Sequence, residues 1–311
     1  MRQKRLLLYS MYTLLYLSGA YAQQTSIGQQ SIQAVVDSAK QGTNYEPNIK
    51  ALTEREIDEA ITTAWQFAAD TSFSVKWNLA LTVDKLFWHS RNSSTQQRAV
   101  AIIVRFMQDE NSRLSYLADQ MVARYPHSVF GEEEKMLLVN LSEKTSKPIR
   151  EVELFKLCAR INATEITPLL QEKAYGSDEF RIRWVALVSL TRLGDKQAET
   201  EMIKAAREFP LTEEAINTLF PDIVFSRSHK AISLLIRQIQ VNNGTCASLT
   251  PSARKGIPCA YMILKVVAPY IKGLNWYGEN GMEHLAKEDA LKKARTFFKG
   301  KGDSWALVDE A

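Results

Sequence analysis

The sequence predicts an all-α protein, an α-solenoid (superhelix) of stacked antiparallel helical hairpins. Three observations carry that expectation. Apolar residues recur at helical spacing along most of the chain, and no run alternates as a half-buried strand would. Capping and breaking residues fall between those stripes. Hairpin starts near residues 148, 178, 212 and 258 recur every 30 to 46 residues, a period typical of stacked helical repeats. A lone hairpin cannot bury its apolar face, so neighbours must complete the core.

The elements follow in order. Residues 23–50 are rich in Gln and Ser and read as an N-terminal segment, partly ordered at best, with one short helix over 31–39. N-terminal hairpins occupy 51–145. Thr53 and Glu56 form a capping box, and Ile57, Ala60, Ile61, Ala64 and Ala68 mark the helical face behind it. A strongly apolar helix runs over 75–88; Trp65, Trp77 and Trp88 read as core packing. Further stripes begin at Ala99 and Leu114, the second stopped by Pro126. Glu132, Glu133 and Glu134 suit the positive end of a helix over 132–141.

The repeat region spans 146–300. Pro148 opens a helix to about Ile161, and Thr167 with Pro168 starts its partner. Arg181-Ile182-Arg183-Trp184 leads through Leu193-Gly194-Asp195 to Ala198, Met202 and Ile203. Gly194 can end a helix in the left-handed region, and Asp195 can cap the next one. Thr212 caps a helix to about Phe225, and Ile232, Leu235, Ile236 and Ile239 mark another. An apolar helix over 258–271 and an amphipathic one over 282–298 complete the set, and 301–311 form a C-terminal tail.

The stretch 178–207 resembles a HEAT-like repeat of the bilin-lyase type. That pattern places Arg before Ala-rich helix positions, then Leu-Gly-Asp, then a second helix. Trp184 and Val188 depart from it, since smaller residues are usual there, and no second clean Leu-Gly-Asp follows. The resemblance implies that Arg183, Gly194 and Asp195 are structural, with Arg183 and Asp195 tying successive turns together. It implies a binding surface and no particular activity.

Residues 1–22 read as a signal peptide. Arg2, Lys4 and Arg5 precede an apolar run, and Ala20-Tyr21-Ala22 supplies a small-x-small cleavage site. The run falls short of the roughly 20 residues needed to span a bilayer, so no transmembrane segment is expected in the mature chain. No Cys follows the run to anchor a lipid. Without the leader, 39 basic residues become 36 against 35 acidic ones, and the formal charge drops from +4 to +1. A near-neutral chain has no global field for a phosphate backbone, so nucleic acid is not an expected partner. Export to the periplasm or the cell exterior permits disulfides. Cys246 and Cys259 bracket a Ser-, Thr-, Pro- and Gly-rich loop and read as a pair; Cys158 lies in an apolar helix and reads as a buried thiol. Four Asn-x-Ser/Thr sequons occur, at Asn92, Asn140, Asn162 and Asn243.

A search for catalytic chemistry returns little. His89, His127, His229 and His284 are not at ligand spacing, and there is no Cys-x-x-Cys, phosphate-cradling glycine loop or Gly-x-Ser-x-Gly elbow. No catalytic, cofactor or metal residues are expected. Glu151 and Glu153 point in different directions on a helix. The candidate interaction surface is the glycine-rich loop bearing Trp276, Tyr277 and Asn280, whose bland reading is a cap on the core. The disulfide-bounded loop is a second candidate. Lys287, Lys292, Lys293, Arg295, Lys299 and Lys301 make the last helix basic, a solvated face or a site for an acidic partner. The expectation is an exported protein-binding scaffold or adaptor without catalysis or cofactor. Its competitors are a secreted carbohydrate-active enzyme on a helical toroid and a tetratricopeptide-like peptide-binding adaptor.

Overall fold

The computed structural model describes residues 25–246 and 257–309. The signal-peptide reading of 1–22 and the tip of the Cys246–Cys259 loop lie outside the described residues. The fold is mostly helical, and the chain divides into two compact units, one ending at Tyr125 and the other beginning at Pro126. The sequence reading put the break near residue 145. Within the second unit the helix Glu132–Lys144 packs on Pro148–Arg160.

Among the described residues, five α-helices build the first unit: α1 Ile27–Lys40, α2 Glu54–Phe67, α3 Phe73–His89, α4 Ser93–Met107 and α5 Ser112–Val122. Helix α1 corrects the expectation for 23–50. It is four turns long, opened by a Ser26–Gln29 capping box, and buries Ile32, Val35, Val36 and Ala39. Its apolar residues are few, but Ile32, Val35, Val36 and Ala39 share one face, and the helix packs against α2 and α3. Gly28 permits the contact: a Cβ there would meet the Glu56 carbonyl oxygen at 2.0 Å. The Thr53–Glu56 box opens α2, and the Asn92 and Asn111 side chains cap α4 and α5. Each helix touches the next and the next but one: α1 with α3, α2 with α4, α3 with α5.

The expectation that the tryptophans here pack in the core is not met. Trp65 is 42% and Trp88 49% exposed, and Trp77 is half-buried. On α3 the buried arc is filled by Val75, Leu79, Val83, Leu86 and Phe87, which leaves Trp77 and Trp88 on the flank. Arg105 lies 4.5 Å over the Trp65 ring, and Trp88 leans on Tyr125.

The second unit contains α6 Glu132–Lys144, α7 Pro148–Arg160, α8 Thr167–Gly176, α9 Phe180–Arg192 and α10 Lys196–Arg207. It continues with α11 Glu213–Thr218, α12 Phe220–Phe225, α13 His229–Val241, α14 Cys259–Val267 and α15 Lys287–Lys301. The α9–α10 turn follows its sequence. Gly194 adopts φ +96°, its N–H donates to Thr191, and the Asp195 N–H donates to Leu190. Asp195 Oδ1 then accepts from the Ala198 N–H at 2.9 Å.

Three other elements differ from expectation. The helix foreseen from Thr212 to Phe225 breaks into α11 and α12 at Leu219, because Pro221 has no N–H to continue the first. The helix foreseen over 282–298 begins only at Lys287, after a short 3-10 turn Met282–His284. The tail is a pinned strap. Ile271 bridges Leu307, the Lys272 N–H donates to Ala306, and the Val308 N–H donates to Tyr270. Trp305, only 4% exposed, stacks on His229 with ring centres 3.8 Å apart. Two short strands, β1 Thr245–Cys246 and β2 Ile257–Pro258, pair antiparallel at the neck of the cysteine loop.

Candidate functional site

A concavity in the second unit has a volume of about 660 Å³. Lys156 of α7, Phe180 and Arg181 of α9, α11, and Pro221 and Asp222 of α12 line it, with Pro210 and Thr212 from the preceding turn. Its floor is a charge cluster. Asp222 is 1% exposed and sits in the apolar run Leu219-Phe220-Pro221-Asp222-Ile223-Val224. Lys156 Nζ lies 2.6 Å from Asp222 Oδ1. Oδ2 accepts from Arg181 and from Trp184 Nε1, the latter at 2.9 Å. A carboxylate so deep is tolerable only with such partners. The wall is apolar: Phe180 is 46% exposed and rests edge-on against Phe209.

Two further contacts tie helices of this unit together. Arg192 donates to the Phe225 carbonyl at 2.6 Å and its guanidinium lies 4.4 Å over the Phe225 ring. Glu199 Oε1 accepts from the Ser228 hydroxyl at 2.7 Å, and that bond, more than the nearby Lys196 and Lys230, holds the Glu199 carboxyl below its ordinary value. The sequence reading gave Arg183 and Asp195 as the ties between successive turns. Arg183 reaches back at 3.0 Å to the carbonyl of Ser177, the residue that ends α8, whereas Asp195 caps α10 of its own hairpin.

The cluster left little trace in the sequence. Trp184 and Asp222 are 38 residues apart and Arg181 and Asp222 are 41 apart, so no local motif joins them. The one available signal was a lone acid inside an apolar run, which must find a cation when it is buried.

The loop singled out from sequence is only partly a surface. Trp276 is 5% exposed, whereas Tyr277 is 67% exposed and Asn280 is exposed. The chain folds back on itself here: the Met282 N–H donates to Asn275 and the Glu283 N–H to Trp276. That turn sends the indole inward toward Tyr261, at 6.2 Å between rings. A Cβ on Gly281 would stand 2.4 Å from the Trp276 carbonyl oxygen, so the close turn needs glycine there. Trp276 therefore belongs to the core, and the platform reading loses its main ring.

Other singled-out residues are placed as follows. Cys246 and Cys259 are bonded, at S–S 2.15 Å. Cys158 is buried, and desolvation pushes its thiol up to about 12. Glu151 is buried and paired with Lys173 at 3.2 Å, while Glu153 is exposed, so they do not meet as an acid/base pair. All four histidines are exposed, and no group of His, Cys, Asp and Glu that could hold a metal ion occurs among the described residues. On α15, Arg295 is structural: it donates to the Ile239 and Asn242 carbonyls and to Asn243 Oδ1. Lys287, Lys292, Lys293, Lys299 and Lys301 are exposed. Comparison with protein families, characterised proteins and solved structures returns no match to this chain.

Proposed function

We propose that this is an exported HEAT-like repeat protein acting as a protein-binding scaffold, with its helical hairpins stacked as an α-solenoid and the cleft over Asp222 as its docking site for a peptide segment. The cleft carries the reading. It combines exposed apolar walls with a cationic floor, and its buried acid has both oxygens engaged by donors. A carboxylate so engaged is a poor general base, which favours recognition over hydrolysis. Contacts between helices next but one along the chain, such as α7 with α9 and α13 with α15, support the stacking. Export is supported by the basic-then-apolar start of the chain and by the Cys246–Cys259 bond; no helix among the described residues is long and apolar enough to cross a membrane.

The test is crosslinking from defined positions. A photoreactive amino acid replaces Phe180 or, as a control in the first unit, Tyr116, and the mature protein is mixed with its native extracytoplasmic extract. One dominant partner, crosslinked from position 180 and not from 116, is the expected result. A blank at 180 under saturating irradiation sinks the docking role. Hydrolysis of polysaccharides by the same preparation would favour the carbohydrate-active alternative.

A further inference from the structure

Resting on that docking reading, we propose that the cleft recognises an acidic peptide segment, in which one Glu or Asp carboxylate is held by Lys156 and Arg181 while an adjacent aromatic side chain packs on Phe180. Charge makes the first argument. Two cations face one carboxylate at the floor, and Asp222 occupies only part of the donor capacity of each. A Lys ammonium has three donors and an Arg guanidinium five. The Lys156 and Arg181 side chains are 22% and 36% exposed, and both line the cleft, so further donors are open to a ligand. A second carboxylate would complete an alternating arrangement in which Arg181 can bind it with two parallel hydrogen bonds.

Shape and polarity make the second argument. Phe180, Pro210, Ala215, Leu219 and Pro221 give the cleft an apolar wall beside its charges. Phe180 is held edge-on by Phe209 at 6.1 Å, so its exposed face is positioned before a ligand arrives. A volume of about 660 Å³ accommodates a short peptide stretch.

Selectivity makes the third. Glu214 is the remaining charged residue of the lining, and it is exposed on α11. It opposes the ligand carboxylate, and it disfavours polyanions such as nucleic acid more strongly than a single acid.

The experiment uses fluorescein-labelled, amidated Gly-Ser-Phe-Glu-Ser-Gly and its Phe-Gln counterpart, read by fluorescence anisotropy against the mature disulfide-bonded protein. The Phe-Glu peptide binds, and the Phe-Gln peptide binds about tenfold more weakly, the loss expected for a charge-assisted hydrogen bond. Raising salt weakens only the first. Glu214→Gln, a surface change that leaves the Asp222 cluster intact, strengthens Phe-Glu binding by about threefold through loss of a like charge. Arg181→Ala weakens it, with melting curves confirming that the variant folds. Equal binding of the two peptides, or no response to Glu214→Gln, overturns the acidic-peptide inference. Absence of binding by either peptide also overturns it, whereas the docking reading falls only if crosslinking from position 180 is blank.

Discussion

Trp184 donates its indole N–H to the Asp222 carboxylate at 2.9 Å, joining α9 to α12 beneath the cleft. Lys156 and Arg181 complete the coordination of that acid. Asp222→Ala therefore strands two cations and an indole N–H, and should cost about 3–5 kcal/mol. Trp184→Phe leaves both cations paired and should cost less, about 1–3 kcal/mol. Urea denaturation followed by near-ultraviolet circular dichroism measures both. Equal losses would mean that ring packing, and not the carboxylate, holds the helices.

Glu199 gives the second unit a pH dependence. The Ser228 hydroxyl, first, and the Lys196 ammonium, second, lower its folded value below the ordinary 4.5. A lowered carboxyl stabilises the fold above its unfolded value and stops doing so as pH falls through the folded one. Stability should thus decline from about pH 4.5 downward. Ser228→Ala should flatten the part of that decline owed to Glu199, and should lower stability near neutrality. Melting temperatures of both proteins between pH 3 and pH 7, on the order of the carboxylate range, decide it. Parallel pH curves would remove Glu199 from the account.

The three cysteines should divide cleanly. Cys158 has its thiol pushed up to about 12 by burial, so a thiol reagent at mild alkaline pH should leave the folded protein unlabelled. Denaturant without reductant should expose one reactive thiol, and with reductant three. Replacing Cys246 and Cys259 by Ser should lower stability by about 3 kcal/mol, the loop-closure value for a loop of this size. Rapid labelling of the folded chain would contradict the burial of Cys158.

The terminal strap should be a stability element. Trp305 covers one face of His229, and Arg227, itself left-handed at φ 56°, donates to the Val308 carbonyl at 2.6 Å. Truncation before Ser304 removes the buried indole and the bridge to Ile271. It should cost about 3–5 kcal/mol, as a large aromatic deletion does, and speed hydrogen exchange at Ile271 and Lys272. Unchanged exchange there would reduce the strap to a loose tail.

Features built from neighbours in sequence were the legible ones. The Thr53–Glu56 box, the Gly194–Asp195 turn and the inward stripe of α4 each depend on residues within four positions, where backbone geometry fixes who meets whom. Helix α1 was underestimated because its composition is polar, although the few apolar residues it has share one face. For Trp276 the sequence left a core cap and a surface platform both open, because a ring in a glycine-rich loop can turn either way, and the choice rests on hydrogen bonds from the Met282 and Glu283 N–H groups.

By itself the sequence determined that the chain is helical, where most helices begin, and that Cys158 is buried, since periodicity, capping and hydrophobicity are local properties. Only the tertiary structure decided that Asp222 is a shared counter-ion for Lys156, Arg181 and Trp184, and that an apolar wall stands beside them. The reason is physical: a buried charge selects its partners by distance in space, and nothing in the local pattern encodes which turn of which helix will come within 3 Å, roughly one hydrogen-bond length.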